Sequence, residues 1–381
     1  MLTAKTSDGQ LIVLNREMKR KELKEWRLSS NFYCPQCGKQ VQLKVGDIVI
    51  PHFAHKSDAS CSASFSEGES KEHLEGKIQL FKFFQKTADQ VVLEPYFKSL
   101  SQRPDLLITI DSQQIPVEFQ CSTIAVHKVK ARTNGYLSAD MKPIWIMRTP
   151  AQSNTSPQGV GIYQFSKFQV SFFTYNSPEG TIFLTYNPQT KQFHYYSSLI
   201  HLAGNRYIGI HRTLPISMQT FPFARPKIPS QVELEQYTSL YLSSRMNFLK
   251  SRVLLNRKGI NDPFLRSCYE LRTLPIDLPI WIGLPVPFSD SFSVHACEWQ
   301  LRLIHFMRQR GITFSSLSRN LIQDFISEEG GKLNDCLEAC FAYRDYFISI
   351  GVESPQRNMD FSEKKIVQLF AERFLAKTKE H

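Results

Sequence analysis

The feature that most restricts how this chain can fold is the string Cys34-Pro35-Gln36-Cys37-Gly38, followed by His52, His55 and Cys61. A Cys-x-x-Cys turn presents two thiolates to one tetrahedral ion, and Gly38 suits the tight knuckle. A hairpin between Val41 and Ile50, turning at Gly46-Asp47, returns the chain with the remaining ligands. The expected zinc ligands are Cys34, Cys37, His55 and Cys61; His52 competes with His55, and spacing leaves that choice open. Four protein ligands leave no position for water, so the expected role of the zinc is structural.

Cysteine usage elsewhere agrees with metal binding in place of disulfides: of eight cysteines, only those at 34, 37 and 61 cluster beside histidines. Cys336 and Cys340 stand one helical turn apart without a nearby His or second Cys pair, and read as core thiols. The first residues, Met1 to Asn15, lack the charged-then-apolar layout of a signal peptide, and no run of 18 or more apolar residues occurs. The expectation is a cytoplasmic protein without a membrane span. A formal charge of +11 and a pI near 9.2 favour polyanionic partners such as nucleic acid or an anionic membrane surface.

At 381 residues the chain is long enough for two or three domains. Weak alternation around Asp8-Gly9 predicts a hairpin over 2–14, and a charged helix follows over 17–27 with Leu23, Trp26 and Leu28 available for a buried side. The polar stretch 62–70 marks a boundary. Helical spacing of Leu74, Ile78 and Phe81 predicts a helix over 69–86. Strands are expected at 91–94, 105–110 and 115–120, a helix over 125–139 and a strand over 143–147, an order that gives a mixed sheet flanked by helices. Residues 151–225 read as β, with strands expected at Gln169 to Tyr175 and Thr181 to Tyr186 and a turn at Asn187 to Thr190. Phe221 to Pro229 reads as a linker, and helical spacing follows over 231–255, 296–310, 317–327, 333–349 and 362–376. The domains drawn from this reading are 1–63, 64–225 (a core to 150 and a β extension from 151) and 226–381.

Carboxylates in the middle part carry the chemistry. Arg103-Pro104-Asp105 opens one strand, and Glu118-Phe119-Gln120 lies on the next. Strand side chains alternate, so Glu118 and Gln120 share a face that Asp105 can join. Two such carboxylates suit Mg²⁺, which takes one or two carboxylates together with water and substrate phosphate, acidifies a water and stabilises charge on the phosphate. On the preceding helix Glu69, His73 and Lys77 form a stripe that reads equally as the border of the same cleft or as an exposed helix edge with a Glu–His contact. No Ser/His/Asp or Gly-rich phosphate-loop pattern stands in a convincing context.

These strings together resemble the CoiA-type competence proteins: Cys34 to Gly38 with His52-Phe53-Ala54-His55 ahead of Cys61, Glu69-Ser70 before His73 to Lys77, Arg103 to Ile108, Ile115 to Ser122, and Arg132-Thr133 with Tyr136. Trp281-Ile282-Gly283 and Glu298-Trp299-Gln300 look similar to the family's C-terminal part. The resemblance implies an α+β multidomain chain: a small zinc-binding β module, a nuclease core of the PD-(D/E)xK type, and a mainly helical C-terminal domain. It further implies a protein that acts with DNA and other recombination or competence proteins during natural transformation. Asp105, Glu118 and Gln120 match the metal-site motif, with Asp105 and Glu118 holding Mg²⁺ or Mn²⁺, and Glu69 matches the acidic residue of the first helix. Gln120 departs from the pattern, because a lysine is usual there; Lys77, Lys128 or Arg132 are the candidates to replace its charge. The expected function is a metal-dependent DNA endonuclease or nickase. A non-catalytic DNA-binding scaffold with a degenerate core is the alternative, and an interaction hub working through the C-terminal helices is a third reading.

Overall fold

The structure is a computed structural model that describes residues 1–15, 18–55, 70–150, 158–176, 180–255, 257–292, 294–329 and 333–354, with 365 and 368. Cys61, Glu69 and the helix expected over 362–376 lie outside the described residues, apart from 365 and 368. The chain divides into two compact units. One comprises Met1–Ser156, Leu184–Tyr195 and Thr213–Ala224; the other comprises Pro157–Phe183, Tyr196–Arg212 and Arg225–His381.

The first unit begins with the expected hairpin, β1 (Thr3–Thr6) and β2 (Leu11–Val13), closed at Gly9 with φ 87°. Helix α1 (Arg20–Ser29) and strands β3 (Phe32–Tyr33), β4 (Gln40–Lys44) and β5 (His52–His55) complete an antiparallel sheet of order β2-β1-β3-β4-β5. Leu23 packs with Phe32, Val41, Leu43 and Phe53 in a small core. The wider apolar face expected for α1 is absent: Trp26 is 38% and Leu28 83% exposed, so only Leu23 anchors the helix.

Helix α2 (Lys71–Phe84) starts where Ser70 accepts a hydrogen bond from the His73 N–H, an N-cap that satisfies one otherwise orphaned donor. Its Leu74, Ile78, Leu80, Phe83 and Phe84 enter a core with Leu106, Ile108, Val117, Phe119 and Ile146. Those last residues come from β7 (Leu106–Ile110), β8 (Gln113–Gln120) and β9 (Ile144–Arg148), which follow β6 (Gln90–Leu93). Helix α3 (Val126–Leu137) joins β8 to its parallel neighbour β9, while β6, β7 and β8 are antiparallel. The β7–β8 turn has two residues, Asp111 (φ 47°) and Ser112 (φ 66°), both left-handed as a tight hairpin requires. That turn fixes the register at Leu106↔Val117, which sets Asp105 beside Glu118.

Strands β12 (Gly180–Asn187), β13 (Gln192–Ala203) and β14 (Arg206–Pro215) are long, and each contributes residues to both units. In the first unit the end of β12 pairs in parallel with β9, and Asn187 Oδ1 accepts from the Gln189 and Thr190 N–H groups in the expected turn. The segment read as a linker does more than connect. Phe221 and Phe223 pack on Phe84 and Phe83, so the aromatic residues between the prolines anchor the chain to the α2 core.

The second unit holds β10 (Gly159–Gln164), paired with β14. The strand expected over 169–175 is instead helix α4 (Lys167–Val170) followed by β11 (Thr174–Asn176), because Ser166 and Gln169 form a reciprocal capping box. Helices α5 (Gln231–Leu254), α6 (Pro263–Glu270), α7 (Ala296–Gln309), α8 (Arg319–Glu329) and α9 (Leu333–Ser349) follow. Sequence periodicity missed α6, although Asp262 as N-cap and Pro263 in the first turn mark its start. Trp281-Ile282-Gly283 and Gln300 form a structural knot. The buried Gln300 amide accepts from the Gly283 and Leu284 N–H groups and donates to the Leu284 carbonyl, while Arg245 donates to the carbonyls of Leu278, Pro279 and Ile282. Cys336 and Cys340 are buried, as expected of core thiols. Among the described residues no helix is long and apolar enough to cross a membrane.

The approach of α2 to β8 gives a prediction. A Cβ at Gly76 would sit 2.2 Å from Phe119 Cε1. Glycine to alanine inside a helix ordinarily gains about 1 kcal/mol. Overpacking a close-packed core costs about 1–3 kcal/mol, so the clash wins. Gly76→Ala should lower the thermal unfolding midpoint, and a raised midpoint would show that α2 does not press on Phe119 as described.

Candidate metal centres

The knuckle and β5 bring Cys34, Cys37 and His55 together, with their ligand atoms all within 4.8 Å of one another. Cys34 is buried, and its N–H donates to the Lys39 carbonyl while its own carbonyl accepts from Gly38, whose φ of 71° makes the turn. On β5 the two histidines lie three residues apart and so face opposite sides. His55 Nε2 comes to 3.9 Å from Cys37 Sγ, whereas His52 Nδ1 engages the Ile50 carbonyl at 2.9 Å. The structure thus groups His55, and not His52, with the two cysteines. Burial, ahead of the charges of Arg103 and Lys39, holds its imidazole below the usual range, in the neutral form that ligates metal. Its Nδ1 is buried with no hydrogen-bond partner, a condition that points to an ion or water. Two thiolates and an imidazole suit a metal such as zinc.

The acidic group stands where β7 and β8 meet α2 and α3. Asp105 Oδ2 accepts from the Phe119 N–H at 2.9 Å and lies 3.1 Å from His73 Nε2; Oδ1 lies 3.2 Å from Lys77 Nζ. Burial opposes ionisation of Asp105, but the charges of His73 and Lys77 and the hydrogen bonds outweigh it and hold the carboxyl well below the usual range. Glu118 is turned toward α3, where it accepts a short hydrogen bond from Arg132 and another from the Tyr136 hydroxyl at 2.5 Å. Burial raises its carboxyl above the ordinary value; Arg132 pulls it down and the charge of Asp105 pushes it up. The two carboxylates therefore feel one another while each has its own cation. Their oxygen donors suit a hard divalent ion.

Other expected residues are placed less closely. Gln120 donates its amide to the Ser122 carbonyl at 2.8 Å. Of the candidate cations, Lys77 touches Asp105, Arg132 holds Glu118, and Lys128 is exposed on α3. Burial and then the charge of Asp105 push the thiol of the neighbouring Cys121 up to about 12, away from the thiolate form. Sequence reasoning missed Glu94 altogether, a buried carboxylate 2.6 Å from Lys77 Nζ. Its signal was an acidic residue closing an apolar strand just before Pro95, easily taken for a strand end.

The cysteine group gives a direct test of the ligand set. His55→Ala should lose most of the bound zinc measured by elemental analysis, while His52→Ala should retain it. Equal loss from both variants would reverse the assignment.

Two family descriptions match this chain: "Competence protein CoiA, N-terminal domain" over residues 15–64 and "Competence protein CoiA, nuclease-like domain" over residues 69–225. The first match contains Cys34, Cys37 and His55, and the second contains Asp105 and Glu118. The chain is also 30% identical over 320 residues to Competence protein CoiA of Bacillus subtilis (strain 168), covering 82% of each protein. No solved structure matches it. With these matches spanning both centres, the chain belongs to the CoiA family of competence proteins.

Proposed function

We propose that this protein is a divalent-metal-dependent DNA nuclease of PD-(D/E)xK type, an endonuclease or nickase. In this reading it acts in the cytoplasm on DNA intermediates of recombination during natural transformation, alongside other competence or recombination proteins. The observation that carries the reading is the closeness of Asp105, directly ahead of β7, to Glu118 on β8, whose carboxyl its charge raises, with the buried ammonium of Lys77 3.2 Å from Asp105.

Asp105 and Glu118 are the residues that would hold Mg²⁺ or Mn²⁺, which supplies an acidified water and charge stabilisation at a phosphate. Lys77 brings the positive charge that the amide of Gln120 lacks, from α2 instead of β8. His73, on the same face of α2, fixes one oxygen of Asp105 and leaves the carboxylate oriented. Glu69 is assigned to the same site through its motif position. Zinc held by Cys34, Cys37 and His55, with Cys61 as fourth ligand, is assigned a structural role. DNA is engaged through the basic excess of the chain.

A second reading has its own support. Glu118 is occupied by Arg132 and Tyr136, and Gln120 by Ser122, so the pair is charge-balanced within the protein. A core of that kind would bind DNA without cutting it.

The experiment incubates purified protein with linear, nicked and branched DNA in Mg²⁺, Mn²⁺ or EDTA. Asp105→Ala and Glu118→Ala should each abolish cleavage, non-additively, because residues that act as a unit lose most of their effect at the first removal. DNA binding should survive both changes, since phosphate contacts come mostly from Lys, Arg and backbone groups. Lys77→Met should likewise reduce cleavage by at least about tenfold, the size typical of a lost partner beside a metal ligand. Wild-type protein that binds every substrate and cuts none would favour the scaffold.

Affinity for DNA should also fall steeply with rising salt, because neutralising phosphates releases counterions. Binding that ignores ionic strength would direct attention to protein partners.

A further inference from the structure

We propose that Glu94 is a positioning residue, which shares the Lys77 ammonium with Asp105 and ties the acidic site to the N-terminal sheet. The inference rests on the metal-site reading of Asp105 and Glu118.

Glu94 follows β6 in a left-handed conformation, φ 51°, which a non-glycine residue rarely adopts. Its N–H donates to the Asp105 carbonyl at 3.0 Å, so the same residue grips Asp105 through backbone and, by way of Lys77, through side chain. Its carboxylate is 3% exposed as a residue, yet all its bonding capacity is used. One oxygen meets Lys77 Nζ at 2.6 Å, and the pair accepts from the Leu2 N–H at 3.0 Å, the Thr3 N–H at 3.1 Å and the Thr3 hydroxyl at 2.7 Å. Burying a charge is tolerable only with such partners.

The charge balance explains what this arrangement does. Lys77, itself 1% exposed, stands between two carboxylates. With both present, one positive charge is divided over two negative ones, and Asp105 keeps part of its charge for a metal ion. Without the charge on Glu94, Lys77 collapses onto Asp105 as a simple ion pair, and Asp105 is neutralised where it should ligate. The donors from β1 hold Glu94 in place. The sheet carrying Cys34, Cys37 and His55 is thereby fastened to the acidic site by hydrogen bonds, not by packing alone.

The test uses the full chain and Mn²⁺ as probe, with affinity read by electron paramagnetic resonance or calorimetry and Asp105→Ala defining the acidic site. Glu94→Gln should weaken Mn²⁺ binding at that site by about 10–100-fold, the range for partners that orient metal ligands. Glu94→Asp keeps the charge on a shorter arm and should recover part of the affinity. If Glu94→Gln does not fold, the Asp variant carries the test, with an expected several-fold loss. Thr3→Ala removes one of the donors that hold Glu94 and should weaken Mn²⁺ binding less than Glu94→Gln does. Wild-type Mn²⁺ affinity in folded Glu94→Gln protein would overturn the proposal, even if the wild type cuts DNA. The converse result, weakened Mn²⁺ binding without cleavage by any form, would keep Glu94 in this role and sink the nuclease reading. A wild type with no Asp105-dependent Mn²⁺ site would overturn both.

Discussion

The interaction on which the rest of the first unit depends is the ammonium of Lys77 buried between Glu94 and Asp105. A lone buried charge is expensive, and removing one partner of such a pair typically costs about 3–5 kcal/mol. The surrounding elements are therefore constrained together. Helix α2 must present Lys77 and His73 on one face, β6 must be followed by a left-handed residue at Glu94, and β7 must begin directly after Asp105. The N-terminal sheet must reach over to supply N–H groups. A site built this way is rigid because its alternatives leave charge without a partner.

Apolar packing sets the distances that the charges exploit. Phe119 lies between Glu118 and Gln120 in sequence but points to the other face, where it stacks on His73 and fills the space left by Gly76. The polar faces of β8 and α2 are thus registered by one aromatic ring. Tyr136 acts similarly on the α3 side. It packs with Leu107 and Met141 while its hydroxyl donates to Glu118.

Much of this was legible in the sequence because the signals were local. The Cys-x-x-Cys knuckle and the period of α2 each fix a few residues. Strand alternation singled out Asp105 and Glu118 together, whereas Asp105 meets His73 and Lys77 of α2 and Glu118 meets Arg132 and Tyr136 of α3. The choice of His55 over His52 needed strand β5, which runs over His52–His55 beyond the hairpin expected between Val41 and Ile50. Glu94 was illegible for a different reason. Its partners are 17 and 91–92 residues away, and nothing beside it in the chain announces them. Trp26, Leu28 and the 169–175 stretch show the opposite failure, in which apolar composition suggested burial or a strand where capping and exposure decided otherwise.

Charge accounting also bears on why Gln120 can stand where the wider superfamily pattern has lysine. Three carboxylates, Glu94, Asp105 and Glu118, are matched by two permanent cations, Lys77 and Arg132. The three carboxylates thus outnumber the two permanent cations by one. A lysine at position 120, on the Glu118 face already served by Arg132, would cancel that excess. The amide at 120 is in this sense the complement of the lysine on α2: the helix supplies the cation beside Asp105, and the neutral side chain on β8 donates to the Ser122 carbonyl without adding another charge.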